Sequence, residues 1–178
     1  MTAQGFAVFG TAIGHCGIAW GEGGVVGVRL PDGSAGLTRA RLHASYPDAA
    51  ETEPPEPVRQ AIADIVALLR GESRDLLQIP LDLGGVPDFH RRVYEIARTI
   101  PPGKTLTYGD VASRLGMPGS AQAVGRALGR NPFPIVVPCH RVLGADGKMV
   151  GFSAPGGVET KRRMLVIEGA RADEPTLF

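Results

Sequence analysis

The chain is short of everything that staples, anchors or strongly charges a protein. Its 178 residues hold two cysteines, Cys16 and Cys139, far apart and without CxxC spacing. Two are too few for a disulfide framework, and they form no metal signature, so a reducing cytoplasm is the expected compartment. Met1 to Trp20 has neither a basic leader nor an unbroken apolar core, and no apolar run reaches the length of a membrane span. Repeats and low-complexity tracts are lacking too. Charge of one sign is also scarce in total, because the formal net charge is only +1.

That even total hides an uneven distribution. Residues 1–87 carry 6 Lys/Arg against 10 Asp/Glu, while residues 88–178 carry 13 against 8. An acidic half joined to a basic half points to an anionic partner for the latter. What the chain has in plenty is turn formers, with 25 glycines and 15 prolines. Its length suffices for one medium domain or two small ones without covalent staples.

In the first half, apolar runs at Phe6–Phe9, Gly17–Trp20 and Val25–Leu30 are broken by glycines, with a turn signal at Gly21–Gly24. The pattern predicts a meander of two or three antiparallel strands. A short helix is predicted over Ala35–Ser45, a loop over the proline-rich and acidic stretch Pro47–Pro57, and a helix over Val58–Leu69. Ile79–Leu83 reads as a further strand, and Gly84–Pro87 as a linker. This half shows no chemistry.

The second half predicts a helix over Asp88–Ile100, stopped by Pro101-Pro102-Gly103. Thr107 caps a second helix, Tyr108–Leu115, and Ser120 caps a third that reaches about Arg130. Two short helices joined by a glycine-containing turn have the form of a helix-turn-helix. On the third, Ala121, Val124 and Leu128 make an inward stripe, and Gln122, Arg126 and Arg130 lie on another face. Ala123, Gly125, Ala127 and Gly129 keep the rest of its surface low. Such a helix suits close approach to phosphates, and equally close packing against its own protein. Phe133–Pro138 reads as an extended segment, Arg141–Gly151 as a hairpin turning at Ala145-Asp146-Gly147, and Glu159–Glu168 as a final helix.

Between these elements stands Val137-Pro-Cys-His-Arg-Val142. A cysteine followed by an imidazole and a guanidinium is a candidate thiolate nucleophile. Taken alone, the hexamer fits a buried structural thiol just as well.

From Phe89 to Gly169 the chain resembles the O6-alkylguanine-DNA alkyltransferases, also called methylated-DNA–protein-cysteine methyltransferases. The resemblance rests on Phe89…Val93, Ile100-Pro-Pro-Gly103, Thr107-Tyr108, Ala123-Val124-Gly125, Asn131-Pro132, Pro138-Cys139-His140-Arg141-Val142, Gly151-Phe152-Ser153 and Glu168-Gly169, in the family's order. It implies an α+β fold in two domains. Residues 1–84 would form a ribonuclease-H-like α/β supporting domain, and residues 85–178 a mainly helical domain with a winged-helix-like helix-turn-helix. The implied reaction is a single, irreversible transfer of the alkyl group from O6-alkylguanine, and by extension O4-alkylthymine, to the protein's own cysteine.

Carried over residue by residue, the resemblance makes Cys139 the acceptor and His140 its base, working through a bridging water and oriented by Glu168. Imidazolium would stabilise thiolate, and the carboxylate would stabilise imidazolium. Tyr108 would donate to the leaving base, Asn131 would brace the turn before the cysteine, and Arg141 would clamp the motif's backbone. Phe152 and Ser153 would line the substrate pocket with Tyr108. Ser120, Ala121, Gln122, Arg126 and Arg130 would meet the DNA. Gln122 departs from the pattern, because members usually place an arginine there to fill the gap left by the extruded base. The implied partner is double-stranded DNA containing alkylated guanine, bound by a cytoplasmic monomer without metal or organic cofactor. Relatives that bind alkylated DNA without reacting lack the cysteine, and Cys139 weighs against that alternative.

Overall fold

The computed structural model describes residues 2–149 and 157–170. Three antiparallel strands open it, β1 (Gly5–Thr11), β2 (Gly14–Gly21) and β3 (Gly24–Arg29). Glycine is required at the β2–β3 turn, since Gly24 has φ +117° and a Cβ there would stand 2.6 Å from the carbonyl oxygen of Pro80. Helix α1 (Ala35–Ser45) comes next, its first turn capped by the Ser34 hydroxyl accepting from Leu37 N at 3.1 Å. The stretch expected to be all loop contains β4 (Ala50–Glu51), which adds to β1 in parallel and completes the sheet order β3-β2-β1-β4. Helix α2 (Glu56–Leu69) starts with proline at its second position, where the missing amide hydrogen has no intrahelical role.

The sheet has two covered faces. On one, Phe6, Ala19 and Val26 pack with Leu42 of α1. On the other, Ile18, Trp20 and Val25 pack with Val58, Ile65 and Leu68 of α2. The strand expected over residues 79–83 is reduced to a single parallel bridge between Val25 and Leu81. Pro80 offers only its carbonyl, which accepts from Val25 N at 2.9 Å, and has no amide to continue a ladder.

Helix α3 (Asp88–Arg98) buries Val93, Tyr94 and Ala97. A two-residue strand β5 (Leu106–Thr107) leads into α4 (Tyr108–Arg114), which begins with a full capping box. Asp110 N donates to the Thr107 hydroxyl at 3.0 Å, and Thr107 N donates to the Asp110 carboxylate at 2.9 Å. A glycine turn connects α4 to α5 (Ala121–Gly129). Ser120 occupies the N-cap of α5 without a side-chain cap bond, because its backbone is already turned to φ −96° and ψ 22°. This corrects the expected hydroxyl cap. Strand β6 (Val142–Leu143) pairs in parallel with β5, in place of the expected hairpin partner. Gly144 N does bond back to Lys148 O at 2.7 Å around the 145–147 turn. Helix α6 (Gly157–Ile167) is the last described element and stops just before Glu168.

One continuous set of buried side chains runs from Ile18 and Trp20 through Ile65 and Leu68 to Val93, Val124, Phe133, Cys139 and Met164. Each fully buried large aliphatic or aromatic side chain in it contributes about 1.5–3 kcal/mol. Polar ties reinforce the junction. Val28 N on edge strand β3 donates to Pro132 O at 2.9 Å. Arg98 Nη2 donates to Leu76 O at 2.8 Å, and Arg163 Nη2 to Ala12 O at 2.6 Å. The first half therefore braces the turn that leads to Cys139. Among the described residues, no helix is long and apolar enough to cross a membrane.

Candidate active site

The stretch expected to deliver Cys139 in extended form is instead a tight turn. Asn131 organises it: Nδ2 donates to Val137 O at 2.8 Å, and Oδ1 accepts from Phe133 N at 2.8 Å. Val137 N closes the loop onto Phe133 O at 2.8 Å. Ile135 is held at φ +76°, a conformation a β-branched residue adopts only under constraint. The constraint comes from burial, since Phe133, Ile135, Val136 and Val137 all sit in the core. A run rich in Val and Ile reads as a strand locally, and only the asparagine braces and the core make it turn.

The turn releases the chain into a single 3-10 turn, Cys139–Arg141. Cys139 is 7% exposed, His140 0% and Arg141 5%. His140 and Arg141 both meet chain distant in sequence, with partners 27 to 41 residues away. His140 Nε2 lies 3.0 Å from Glu168 Oε2. Arg141 grips the same carboxylate twice, Nε to Oε1 at 2.8 Å and Nη2 to Oε2 at 2.7 Å, and its Nη1 donates to Ile100 O at 2.7 Å. Burial pushes the Glu168 carboxyl up, but the bonds and charges of Arg141 and His140 outweigh it and hold the group at about 2. Glu168 is thus ionised and can only accept. His140 Nε2 must therefore carry the hydrogen, which leaves Nδ1 with its lone pair. That Nδ1 is buried and has no hydrogen-bond partner among the described residues.

Burial works against the thiolate–imidazolium pair that the resemblance implies. Burial raises the Cys139 thiol, against the lowering effects of the Asn131 side chain, the Lys161 charge and two backbone amides. Burial likewise lowers His140, more than Glu168 raises it. Burial thus favours the neutral form of each group.

Lys161 was not among the residues singled out from sequence. It lies on α6, is 1% exposed, and donates from Nζ to Val142 O at 2.8 Å. Its charge is the cation that lowers Cys139, and burial in turn lowers Lys161 itself. A sequence signal did exist, since a lysine three and four residues before Met164 and Leu165 interrupts the apolar face of a short helix. It says nothing about which charge the lysine meets.

Tyr108, at the start of α4, is half-buried, and its hydroxyl is raised by burial and by Cys139. Its ring would be 3.9 Å from a Cβ on Gly125, so the small face of α5 lies against it. Gln122, Arg126 and Arg130 are exposed along α5, with Ser120 and Ala121 partly exposed at its start. Phe152 and Ser153, expected to line the pocket, lie outside the described residues. A cavity of about 280 Å³ reaches the motif through Pro138 and Arg141, walled by Leu76, Ile100, Ile135 and Val136. It does not include Cys139 or His140. Among the described residues, no group of three or more His, Cys, Asp or Glu is placed to hold a metal ion.

Residues 88–170 match the family model described as 6-O-methylguanine DNA methyltransferase, DNA binding domain. The chain is 37% identical over 153 residues to a methylated-DNA–protein-cysteine methyltransferase from Methanothermobacter thermautotrophicus, covering 86% of this chain and 78% of that one. The chain belongs to the methylated-DNA–protein-cysteine methyltransferase family. A second family member, from Mycobacterium tuberculosis, is 45% identical over 119 residues, 66% of this chain and 70% of the other. The crystal structure of Mycobacterium tuberculosis OGT in complex with DNA superposes with a TM-score of 0.71 at 35% identity, covering 95% of both chains. The mixed α+β architecture is therefore that of the methyltransferase family along nearly the whole chain, beyond the half in which the sequence motifs lie.

Proposed function

We propose that this chain repairs O6-alkylguanine in double-stranded DNA by one irreversible transfer of the alkyl group to Sγ of Cys139. The observation that carries this reading is His140, whose Nε2 is engaged by Glu168 while its Nδ1 keeps an unmet lone pair one residue from the acceptor thiol. In the complex the thiol proton passes to Nδ1, directly or through one water. The sulfur attacks the alkyl carbon, a C–S bond forms, and the C–O6 bond breaks with its electron pair left on the guanine. The Tyr108 hydroxyl donates a hydrogen bond to the departing base, so that it need not leave as a bare anion. Overall the thiol proton ends on guanine and the alkyl group on sulfur. A thioether does not reopen by hydrolysis, so each molecule acts once.

Guanine in a duplex is unreachable by so buried a sulfur, and the base is extruded to meet it. The low surface of α5 suits entry into the minor groove, with Arg126 and Arg130 for phosphates and Gln122 for the space the base vacates. We assign residues 1–84 to a ribonuclease-H-like supporting domain, consistent with a β3-β2-β1-β4 sheet covered on both faces. Residues 85–178 form the DNA-binding domain, with α4–α5 as a winged-helix-like helix-turn-helix.

Incubation with an oligonucleotide carrying O6-methylguanine, followed by peptide mass mapping, tests the transfer. The Cys139 peptide is expected to gain a methyl group in place of hydrogen, and Cys139→Ser to gain nothing. DNA binding without that gain would leave a lesion-binding module in place of a methyltransferase. At Gln122 the expected result is that Gln122→Arg speeds repair of duplex substrate by about tenfold, equivalent to ~1.4 kcal/mol. Arginine brings a charge and a stacking plane that glutamine lacks. Unchanged rate and affinity would remove Gln122 from the gap-filling role.

A further inference from the structure

We infer that Tyr94 is a positioning residue that fixes the distance between the recognition helix and the acceptor thiol, a role that rests on the repair reading above. Tyr94 is a residue of α3, outside every motif that marks the site. Its side chain is 2% exposed, and its hydroxyl donates to Ala127 O in the last turn of α5 at 2.7 Å. Carbonyls in the last turn of a helix lack the usual amide four residues on. Here Asn131 N turns to Leu128 O at 3.2 Å, leaving Ala127 O with a long bond from Arg130 N at 3.2 Å. The Tyr94 hydroxyl supplies its strong partner.

The bond matters because of the residues on either side of Ala127. Four residues on stands Asn131, whose amide shapes the 131–137 turn that ends two residues before Cys139. Six residues before Ala127 begins the end of α5 that carries Gln122. Tyr94 therefore holds the rigid piece whose one end meets the vacated base stack and whose other end presents sulfur. Burial and the nearby Cys139 push its hydroxyl up to about 12, so it remains a donor at every working pH. Extrusion of a base demands that both ends of the piece be in place at once. A lesion already free of a stack makes no such demand.

The test is Tyr94→Phe, which removes one hydroxyl and keeps the ring. Single-turnover methyl transfer is followed on a duplex carrying O6-methylguanine and on the same strand alone. Because each molecule reacts once, the endpoint counts folded protein and the rate is read per folded molecule. The expected result is a roughly tenfold slower rate on duplex with less than a twofold change on the single strand, at an unchanged endpoint. A loss shared by both substrates, in rate or endpoint, makes Tyr94 merely structural and overturns the inference. Equal rates for variant and wild type on both substrates also overturn it. Wild-type protein that leaves Cys139 unmodified on both substrates overturns the repair reading itself.

Discussion

Glu168→Gln is expected to destabilise the protein by about 3–5 kcal/mol and to slow methyl transfer by about 100-fold in the molecules that stay folded. The carboxylate is 1% exposed and takes three hydrogen bonds, two from Arg141 and one from His140. Glutamine keeps the volume but leaves the buried guanidinium without its counter-charge. It also removes the charge that would stabilise imidazolium as the thiol proton arrives. Denaturant unfolding and single-turnover kinetics read the two effects separately, and a variant as stable and as fast as wild type would refute both.

The same carboxylate makes stability pH-dependent. Its folded value of about 2 lies below the ordinary 4.5, so on acidification the unfolded chain takes up the proton first. The stabilisation is whole above about pH 4.5 and is lost as pH falls towards 2. A depression of that size corresponds to on the order of 3 kcal/mol. His140, held below its ordinary 6.5 by burial, loses stability in the same direction, starting below that pH. In Glu168→Gln the loss between pH 4.5 and 2 is expected to be blunted, and the part due to His140 to remain.

Lys161→Met is expected to raise the pH at which Cys139 reacts and to slow repair at neutral pH about tenfold. The methionine stem fills the same channel, so the change isolates the ammonium. Burial already opposes ionisation of Cys139, and after the Asn131 side chain the Lys161 charge is the largest influence set against it. Losing the donor to Val142 O adds about 1–3 kcal/mol of destabilisation. Iodoacetamide labelling of the Cys139 peptide across pH measures the shift, and Lys161→Arg, which keeps the charge, is expected to move it less. A labelling midpoint that stays put in Lys161→Met would rule out an electrostatic role.

Elements governed by local rules were legible in the chain. The meander of β1–β3 comes from apolar runs cut by glycines. The start of α4 comes from Thr107 and Asp110 three residues apart, and α1 runs over the expected span. Other elements were not legible because their cause is remote. Strand β4 exists only because β1 offers an edge, and β6 pairs with a segment 36 residues earlier. The turn through Ile135 contradicts its own composition. It is imposed by Asn131 on one side and the core on the other.

The site divides along the same line. Residue types in sequence, Cys139 beside His140 with a tyrosine, an asparagine and a glutamate at family spacing, were enough to mark the candidates and the chemistry. Protonation was not readable there. Whether sulfur carries its proton, which ring nitrogen is free, and which cation acts on the thiol depend on water being shut out and on α6 being folded back against the motif. Charge in a dry interior is set by neighbours in space, and the two that matter most here, Glu168 and Lys161, lie on the last helix of the fold or just past its end.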